Sequence, residues 1–367
     1  MIYYFLFIFF IIAGFTDLVY KNNKRLQFYF FIFFGFITIL LASIRWKTGT
    51  DWDSYVRIYS ANNTFSGYMD AYYEKGFLFI NYLSKLIYDN YSFQLMFVVL
   101  FVVLFKYKAI YKLSPLPLIS LLASFSFYAG DLFTVRQGIA IAITLYSTIY
   151  IYSYNKITFF LLVALASSFH ITALFFLPAY YLYHLNISNK QLIYLVFISF
   201  LFSILIDFKE VLLSITQYLF PFIGNKIEIY LRMTEYSNLG DISTETRSII
   251  GSIKRIFFFL IYIIIIKKSV QSDKFRGFLN LFVISILIFI ILNPIHPTFN
   301  RLSMYYSIYE ILLIPYILLS FKKYSKLVIY TIVILYCFMK LEYGFNQHRA
   351  LFFPYETIFQ SSFKQTY

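Results

Sequence analysis

The sequence predicts an all-α, polytopic integral membrane protein of about twelve transmembrane helices. Of the 367 residues, 60% are hydrophobic and only 13% are charged, whereas soluble domains contain roughly 25% charged residues. The mean hydropathy is +0.71. Apolar runs long enough to cross a bilayer, about 20 residues with about 17 as the lower limit, recur along the chain. Lys and Arg lie between these runs, which is how membrane topology is specified.

Twelve apolar stretches are candidate spans, and no polar linker, low-complexity stretch or repeat divides them. We therefore expect residues 1–367 to form a single transmembrane domain. The first stretch lacks a basic leading region and a small-x-small cleavage site, so it predicts a retained helix rather than a signal peptide. The sixth, seventh and twelfth stretches are short and predict helices that are tilted or broken, or that extend beyond these limits. The predicted spans are 2–18, 27–44, 92–108, 115–132, 137–154, 157–169, 171–185, 191–208, 249–266, 277–293, 302–320 and 327–341.

Basic residues are dense in one of the two alternating sets of loops. This set holds 15 of the 31 Lys and Arg residues, including Lys106, and Asp273 is its only acid. Short loops rich in Lys and Arg remain in the cytoplasm, so the opposite face is predicted to be periplasmic or exterior. Three long segments, 45–91, 209–248 and 342–367, then face outward. The net charge of +14 therefore reflects topology and does not indicate a nucleic-acid partner.

The first outward segment opens with charged and hydroxyl residues beside a span. Gly49 permits a tight turn there, and Arg45 and Asp51 are candidate functional groups. The alternative is an interfacial anchor in which Asp51 neutralises Arg45 or Lys47. Glu74, near the end of the same segment, is either a functional carboxylate or part of a solvated turn.

Two further outward elements carry a single notable side chain each. Arg136 precedes small residues that allow close helix packing. An arginine at such a helix mouth can bind a phosphate with two parallel hydrogen bonds, or it can snorkel to the interface. His170 lies between two apolar runs near the predicted outer interface, where it is either a structural histidine or a titratable functional group.

The fourth outward element enters a helix at Arg301. Tyr305 and Tyr309 are one turn apart, and we expect them on the same side as Arg301. Glu310 is predicted to lie about two turns deep, where a carboxylate is costly unless it is paired. Its alternatives are a structural partner for Arg or Lys and a role in proton or substrate handling.

The predicted topology places all four elements on one face, so Arg45, Arg136 and Arg301 could converge on one anionic ligand. A diphosphate attached to a lipid fits this position. The sequence has no Walker A loop, H-E-x-x-H, Cys cluster or G-x-S-x-G, which argues against an ATP-driven machine, a zinc protease and an ordinary serine hydrolase. The lone Cys337 excludes an internal disulfide. We expect no cofactor and no metal ion.

Short motifs occur in a characteristic order over nearly the whole chain. They are Arg45 with Gly49, Thr50, Asp51 and Tyr55; Glu74 with Gly76; Arg136 with Gln137 and Ala140; Phe169 and His170 before Pro178; Asn300 and Arg301 with Tyr305; and Phe353, Pro354 and Tyr355.

In their order and spacing these motifs resemble the EpsG-like, Wzy-type polysaccharide polymerases. The resemblance implies joining of undecaprenyl-diphosphate-linked oligosaccharide repeat units, with the active site on the periplasmic or exterior face of the bacterial inner membrane. Implied partners are the lipid-linked donor and acceptor, the bilayer, a chain-length regulator and a flippase.

The residues are assigned roles on the chemistry of that reaction. A departing lipid diphosphate needs positive charge, which Arg136 and Arg301 are predicted to supply. Arg45 and Tyr305 are also predicted at the substrate site, with Arg45 in positioning or charge balance. The acceptor hydroxyl needs a base or an orienting hydrogen bond, for which the candidates are His170, Asp51 and Glu74.

Two other functions are compatible with much of the same sequence. A flippase for the same lipid-linked glycans would place ionisable residues along a midplane path, whereas most charged residues here cluster outward. A ligase that transfers finished glycan would use nearly the same diphosphate chemistry, and only the family resemblance separates it from a polymerase.

Overall fold

A computed structural model of the chain describes residues 2–20, 23–49, 51–61, 64–127, 129–133, 135–206, 244–267, 270–346 and 348–359, with single positions at 210, 214, 217 and 218. Within these ranges the regular structure is helical, apart from one isolated bridge between Arg45 and Thr357. The all-α prediction is confirmed. Most of the predicted outward segment 209–248 lies outside the described residues.

Seven helices in the described ranges are long and apolar enough to cross a membrane. They correspond to the first three predicted spans and the last four, and the predicted total of about twelve is not confirmed. These helices are Ile2–Val19, Lys24–Ile44, Tyr91–Leu113, Ser248–Ile265, Asp273–Leu292, Asn300–Leu319 and Tyr324–Asn346.

Between residues 115 and 208 the predicted spans form shorter pieces. The stretch 115–132 folds as an 11-residue α-helix followed by a 3₁₀ turn at Ala129–Leu132. The stretch 171–185 begins with another 3₁₀ turn, Ile171–Phe176, and continues after Pro178 as a five-residue helix. The short length of the stretch 171–185 predicted a tilted or broken helix. The break within 115–132 was not predicted, because the interrupted pieces remain apolar.

The chain divides into two compact units, and the first contains the residues up to Leu177 and those from Ile314 onward. Its helices are α1 Ile2–Val19, α2 Lys24–Ile44, α3 Trp52–Ala61, α4 Phe65–Asp70, α5 Lys75–Ile87, α6 Tyr91–Leu113, α7 Pro117–Phe127, α8 Arg136–Tyr152 and α9 Lys156–Ser167, with α16 Lys323–Asn346 and α17 Arg349–Phe352 near the C-terminus.

Helix α7 lies at the centre of the first unit and packs against α1, α6 and α16. Its N-terminus is capped by the buried Asp17 of α1, whose Oδ2 accepts hydrogen bonds from Leu118 N at 2.7 Å and Ile119 N at 3.4 Å. The first amides of a helix have no partner within the helix, so this carboxylate satisfies them away from water. Gln27 Nε2 donates to the other carboxylate oxygen at 2.8 Å.

Lys106 was predicted to lie in a cytoplasmic loop, but the structure places it inside α6. Its side chain is buried, and its Nζ is 2.6 Å from Asp131 Oδ2 in the 3₁₀ turn after α7. A buried ammonium group requires such a partner. The pair therefore holds the segment that precedes α8 against α6.

The second unit, Pro178–Leu313, is organised around α13, which packs against α10, α11, α12 and α14. Gly277 of α13 lies against the ring of Tyr183, where an added Cβ would be 2.3 Å from ring atoms. Asn280 donates to the carbonyls of Leu182 and Leu185, which end α10. The helices of this unit are α10 Ala179–Tyr183, α11 Asn189–Leu205, α12 Thr244–Ile265, α13 Asp273–Leu292 and α14 Asn300–Ser307, with the first residues of α15 Glu310–Leu319.

Candidate functional site

The polar residues of the segment after α2 are carried by a tight turn and three helices. Gly49 adopts a φ of +109°, a conformation that glycine tolerates best, which confirms the predicted turn. Helix α3 follows, and the chain then returns through α4 to Glu74, the residue immediately before α5. This path brings Tyr55 of α3 and Glu74 to the start of α8.

Arg136, the first residue of α8, forms an ion pair with Glu74. Its Nη1 is 2.6 Å from Glu74 Oε2, and the two side chains are 23% and 18% exposed. Arg136 Nε also donates to the hydroxyl of Tyr55 at 3.3 Å. A charge-assisted contact of this length is among the stronger hydrogen bonds in proteins. The pair joins the segment that ends at Glu74 to the start of α8, two elements predicted to lie on the same face.

Three aromatic rings surround the Arg136 guanidinium. Its central carbon lies 5.1 Å from the ring centroid of Tyr73, 5.6 Å from that of Tyr55 and 5.9 Å from that of Phe77. Such contacts are favourable and restrict the orientation of the guanidinium plane. Among the described residues, no hydrogen bond engages Nη2, so this edge remains available to an acceptor oxygen.

Gly76 brings the turn containing His170 to the same place. Gly76 N donates to Ser168 O at 2.8 Å, and a Cβ at position 76 would lie only 2.7 Å from that oxygen. Ile171 N also donates to Glu74 Oε1 at 3.4 Å. His170 Nδ1 is 2.5 Å from Thr172 Oγ1, which orients the imidazole. Glu74, Arg136 and the His170 turn therefore form one cluster.

The pKa of the Glu74 carboxyl lies below its ordinary value. Partial burial raises this pKa, but a backbone hydrogen bond and the positive charge of Arg136 outweigh burial, with a smaller contribution from His170. Groups that favour the charged form of a carboxyl lower its pKa. Glu74 is therefore a carboxylate at neutral pH and balances the charge of Arg136.

Arg45 is almost completely buried, with 3% exposure. Its guanidinium donates to Thr48 O at 3.0 Å and Phe133 O at 3.2 Å and lies 5.5 Å from the ring of Trp52. The C-terminal segment covers this loop through the bridge between Arg45 and Thr357. This geometry favours a positioning function for Arg45.

Asp51 and Tyr55 differ in their relation to the cluster. The side chain of Asp51 is exposed and, among the described residues, is bonded to neither Arg45 nor Arg136. Tyr55 hydrogen-bonds to Arg136 and also interacts electrostatically with Arg45. Sequence reasoning included Tyr55 in a motif but assigned no function to it, and it overlooked Tyr73 and Phe77. Tyr73 is adjacent to Glu74 in the sequence, and Phe77 follows it by one helical turn. This proximity to a candidate carboxylate was the signal that could have identified both residues.

Arg301, Tyr305 and Glu310 belong to the second unit. Tyr305 and Tyr309 are fully buried, whereas Arg301 is exposed at the first turn of α14. Arg301 and Tyr305 are four residues apart in this helix, and the expectation that the tyrosines share a face with Arg301 stays a prediction. Glu310 is 6% exposed and accepts a hydrogen bond from Tyr262 at 3.3 Å. The convergence of Arg301 with Arg45 and Arg136 stays a prediction.

These features define a multi-pass membrane protein with an arginine–carboxylate cluster enclosed by aromatic rings and next to a histidine turn. In the described part of the chain, no group of three or more His, Cys, Asp or Glu side chains has the arrangement of a metal site. The chain belongs to the EpsG family, which it matches over residues 27–357. No curated protein and no solved structure matches it. It is accordingly a membrane protein of polysaccharide biosynthesis.

Proposed function

We propose that the chain polymerises oligosaccharide repeat units carried on undecaprenyl diphosphate, on the extracytoplasmic face of the bacterial inner membrane. The proposal depends on one observation above all: Arg136 is fixed by Glu74, Tyr55 and three rings and still presents one donor edge. Membership of the EpsG family supports the same reaction class.

The reaction exchanges one bond at the anomeric carbon of the growing glycan. The bond from this carbon to the diphosphate oxygen breaks, and the electron pair leaves with the lipid diphosphate. A hydroxyl oxygen of the next lipid-linked unit forms the new glycosidic bond and gives up its proton. The barrier therefore falls when negative charge on the leaving group is stabilised and a base is near the acceptor hydroxyl.

Arg136 supplies the first requirement in this proposal. The guanidinium is already oriented by its contacts, so little reorganisation is needed when charge develops on the diphosphate. Glu74 holds Arg136 in place through Nη1, which leaves Nη2 to donate to a phosphate oxygen. A lysine would carry the charge but not this fixed fork of donors.

His170 supplies the second requirement. Its imidazole is oriented by Thr172 and lies in the turn that contacts Glu74 and Gly76. A neutral imidazole can accept the acceptor proton near neutral pH. Glu74 is the alternative base, although its lowered pKa makes it a weaker one. Asp51, exposed at the start of α3, would orient acceptor sugars.

The remaining predicted residues complete the proposal. Arg45 positions the loop that carries Gly49 through its hydrogen bond to Thr48 O. Arg301, which is exposed at the start of α14, stays a predicted diphosphate-binding residue, and buried Tyr305 would support that helix.

The test is an in vitro polymerisation assay with lipid-linked repeat units. Arg136→Ala and His170→Ala should each shorten the product and slow its formation, whereas Arg25→Ala should leave both unchanged. Arg25 is a suitable control because it is an exposed arginine in the first turn of α2, at the end of this helix that is opposite to Arg45. Normal product lengths with correctly inserted Arg136→Ala and His170→Ala proteins would refute the assignment.

Orientation is tested separately by cysteine labelling. Cys337 is buried, so Cys337→Ala provides a background in which Ser60→Cys, on the exposed side of α3, is the labelled site. A membrane-impermeant maleimide should react in intact cells whose outer barrier is permeable. Reaction only after the cytoplasmic side is opened would contradict an extracytoplasmic site.

A further inference from the structure

A cleft of about 480 Å³ lies beside the Arg136 cluster, between α3 and the turn that precedes Glu74. This volume falls within the range of about 300–1,000 Å³ found for small-molecule sites. It is a shallow cleft that is widely open to the surroundings, so a ligand bound in it can continue beyond it. Its walls are formed by Ser54, Arg57, Ile58, Ala61, Ala71 and Tyr73.

The cleft shares two walls with the Arg136 cluster. The ring of Tyr73 lines the cleft and also lies 5.1 Å from the Arg136 guanidinium. Helix α3 presents Ser54 to the cleft, and the next residue, Tyr55, hydrogen-bonds to Arg136. A ligand in the cleft therefore lies next to the place where the proposed reaction occurs.

The lining combines a forked donor, a hydroxyl and an aromatic ring above a small apolar surface. Arg57 is exposed, and its Nε donates to Asp53 O at 3.2 Å, which holds the side chain along α3. In the described part of the chain, the two Nη groups of Arg57 have no hydrogen-bond partner. Ile58, Ala61 and Ala71 provide apolar contact.

This chemistry fits a sugar better than a lipid chain or a diphosphate. A sugar has hydroxyl oxygens for Arg57 and Ser54 and C–H faces for Tyr73 and the small apolar residues. A lipid chain would remove the Arg57 donors from water and offer them no hydrogen-bond acceptor in exchange, which is costly. A diphosphate would leave the apolar residues and most of the volume unused.

We propose that this cleft binds sugar residues of the incoming acceptor and presents one of their hydroxyls to the Arg136–Glu74–His170 cluster. The identification of the bound sugar as the acceptor rests on the proposed function, but sugar binding by the cleft is testable without any polymerisation. Arg57 then acts as a specificity-determining residue, because its donors select sugars with an oxygen within reach.

Binding is tested on the full chain in detergent micelles by saturation-transfer-difference NMR. The probe is the lipid-free oligosaccharide repeat unit, released by partial hydrolysis from the polysaccharide of the producing cell. Ser54→Trp fills the cleft, whereas Ser60→Trp adds the same bulk to an exposed serine on α3 that does not line it. Ser54→Trp should abolish the transfer signal, and Ser60→Trp should preserve it. Equal signals from the two variants, or no signal from the unchanged protein, would overturn the proposal.

Arg57→Ala provides a second, milder variant. Loss of a charged hydrogen-bond donor should weaken binding about tenfold. In the polymerisation assay it should raise the KM for acceptor and change kcat little. Unchanged affinity would remove Arg57 from the site, and displacement of the glycan by inorganic diphosphate would identify an anion site instead of a sugar site.

Arg136→Ala separates the cleft from the proposed reaction. If the cleft proposal is correct, this variant still binds the free oligosaccharide. Normal polymerisation by Arg136→Ala, together with loss of binding in Ser54→Trp, would refute the catalytic assignment and retain the cleft. Normal binding by Ser54→Trp, together with loss of polymerisation in Arg136→Ala, would refute the cleft proposal and retain the catalytic assignment.

Discussion

The first unit contains two ion pairs of equal length in very different surroundings. Lys106 Nζ and Asp131 Oδ2 are 2.6 Å apart, as are Arg136 Nη1 and Glu74 Oε2. The Lys106 side chain is 2% exposed, whereas that of Arg136 is 23% exposed. The space beside Asp131 is about 10 Å³, room for one water molecule at most.

The difference separates a pair that holds the fold from one that can bind a ligand. The Lys106 side chain is buried and its charge is balanced by Asp131 within the described part of the first unit. Arg136 retains a donor edge and lies beside a cleft of about 480 Å³. The distance between opposite charges therefore does not indicate function, but the volume and the donors around them do.

The largest expected change in stability follows from breaking the buried pair. Lys106→Met leaves the Asp131 carboxylate, which is 19% exposed, without its counter-charge against the buried part of α6. Removal of one partner from a buried pair lowers the free energy of unfolding by about 3–5 kcal/mol. Thermal unfolding in detergent measures the loss. The double variant Lys106→Met with Asp131→Asn should recover most of it, and equal losses in the single and double variants would contradict this account.

The largest expected change in activity follows from altering the open pair. Arg136→Lys keeps the positive charge but loses the planar set of guanidinium donors, and we expect polymerisation to slow by about 10²-fold. Stability should change by only about 1 kcal/mol, since a partly exposed pair contributes little. Rate and melting temperature, measured on the same preparation, give the comparison. Loss of stability in proportion to activity would instead place Arg136 with Lys106 as a structural residue.

A smaller effect is expected from crowding the close contact between Gly76 and Ser168, which brings the His170 turn to the cluster. Gly76→Ala places a Cβ 2.7 Å from the backbone oxygen of Ser168, and relief of such crowding costs about 1–3 kcal/mol. The displaced turn should also lower the polymerisation rate. Gly344→Ala is the matched control, because a Cβ at this helical glycine has no atom within 4 Å. Equal rates in the two variants would separate the Gly76 contact from activity.

The smallest expected effect is on the pH dependence of stability. Because the folded-state pKa of Glu74 is lowered from 4.5, its contribution is complete above 4.5 and is lost as pH falls through the lower folded value. Glu74→Gln removes this contribution, so its melting temperature should fall less steeply with acidification. Melting curves collected below pH 5 measure the difference between the two proteins. Parallel curves would show that Arg136 does not stabilise the Glu74 carboxylate.

Apolar content predicted the positions of the seven long spans, because each is predominantly apolar over a length that matches the bilayer. The span Asn300–Leu319 is nevertheless divided between α14, which ends at Ser307, and α15, which begins at Glu310. The short length of 171–185 predicted a tilted or broken helix there, but the break within 115–132 was not predicted. The side chains that face lipid and those that face other helices are both apolar, so hydrophobic periodicity carries little information on packing in such a bundle. His170 and Pro178 marked two breaks, but only the fold turned them into the 3₁₀ segment Ile171–Phe176.

The sequence by itself determined the class of protein, the Gly49 turn and the choice of Arg136, Glu74 and His170 as candidates, since these depend on composition and on local residue types. Only the tertiary structure decided which charges meet. Glu74 and Arg136 are 62 positions apart, and Lys106 was assigned to a loop until α6 placed it beside Asp131. Contacts of this kind depend on how helices pack, and one sequence does not contain that information in any local pattern.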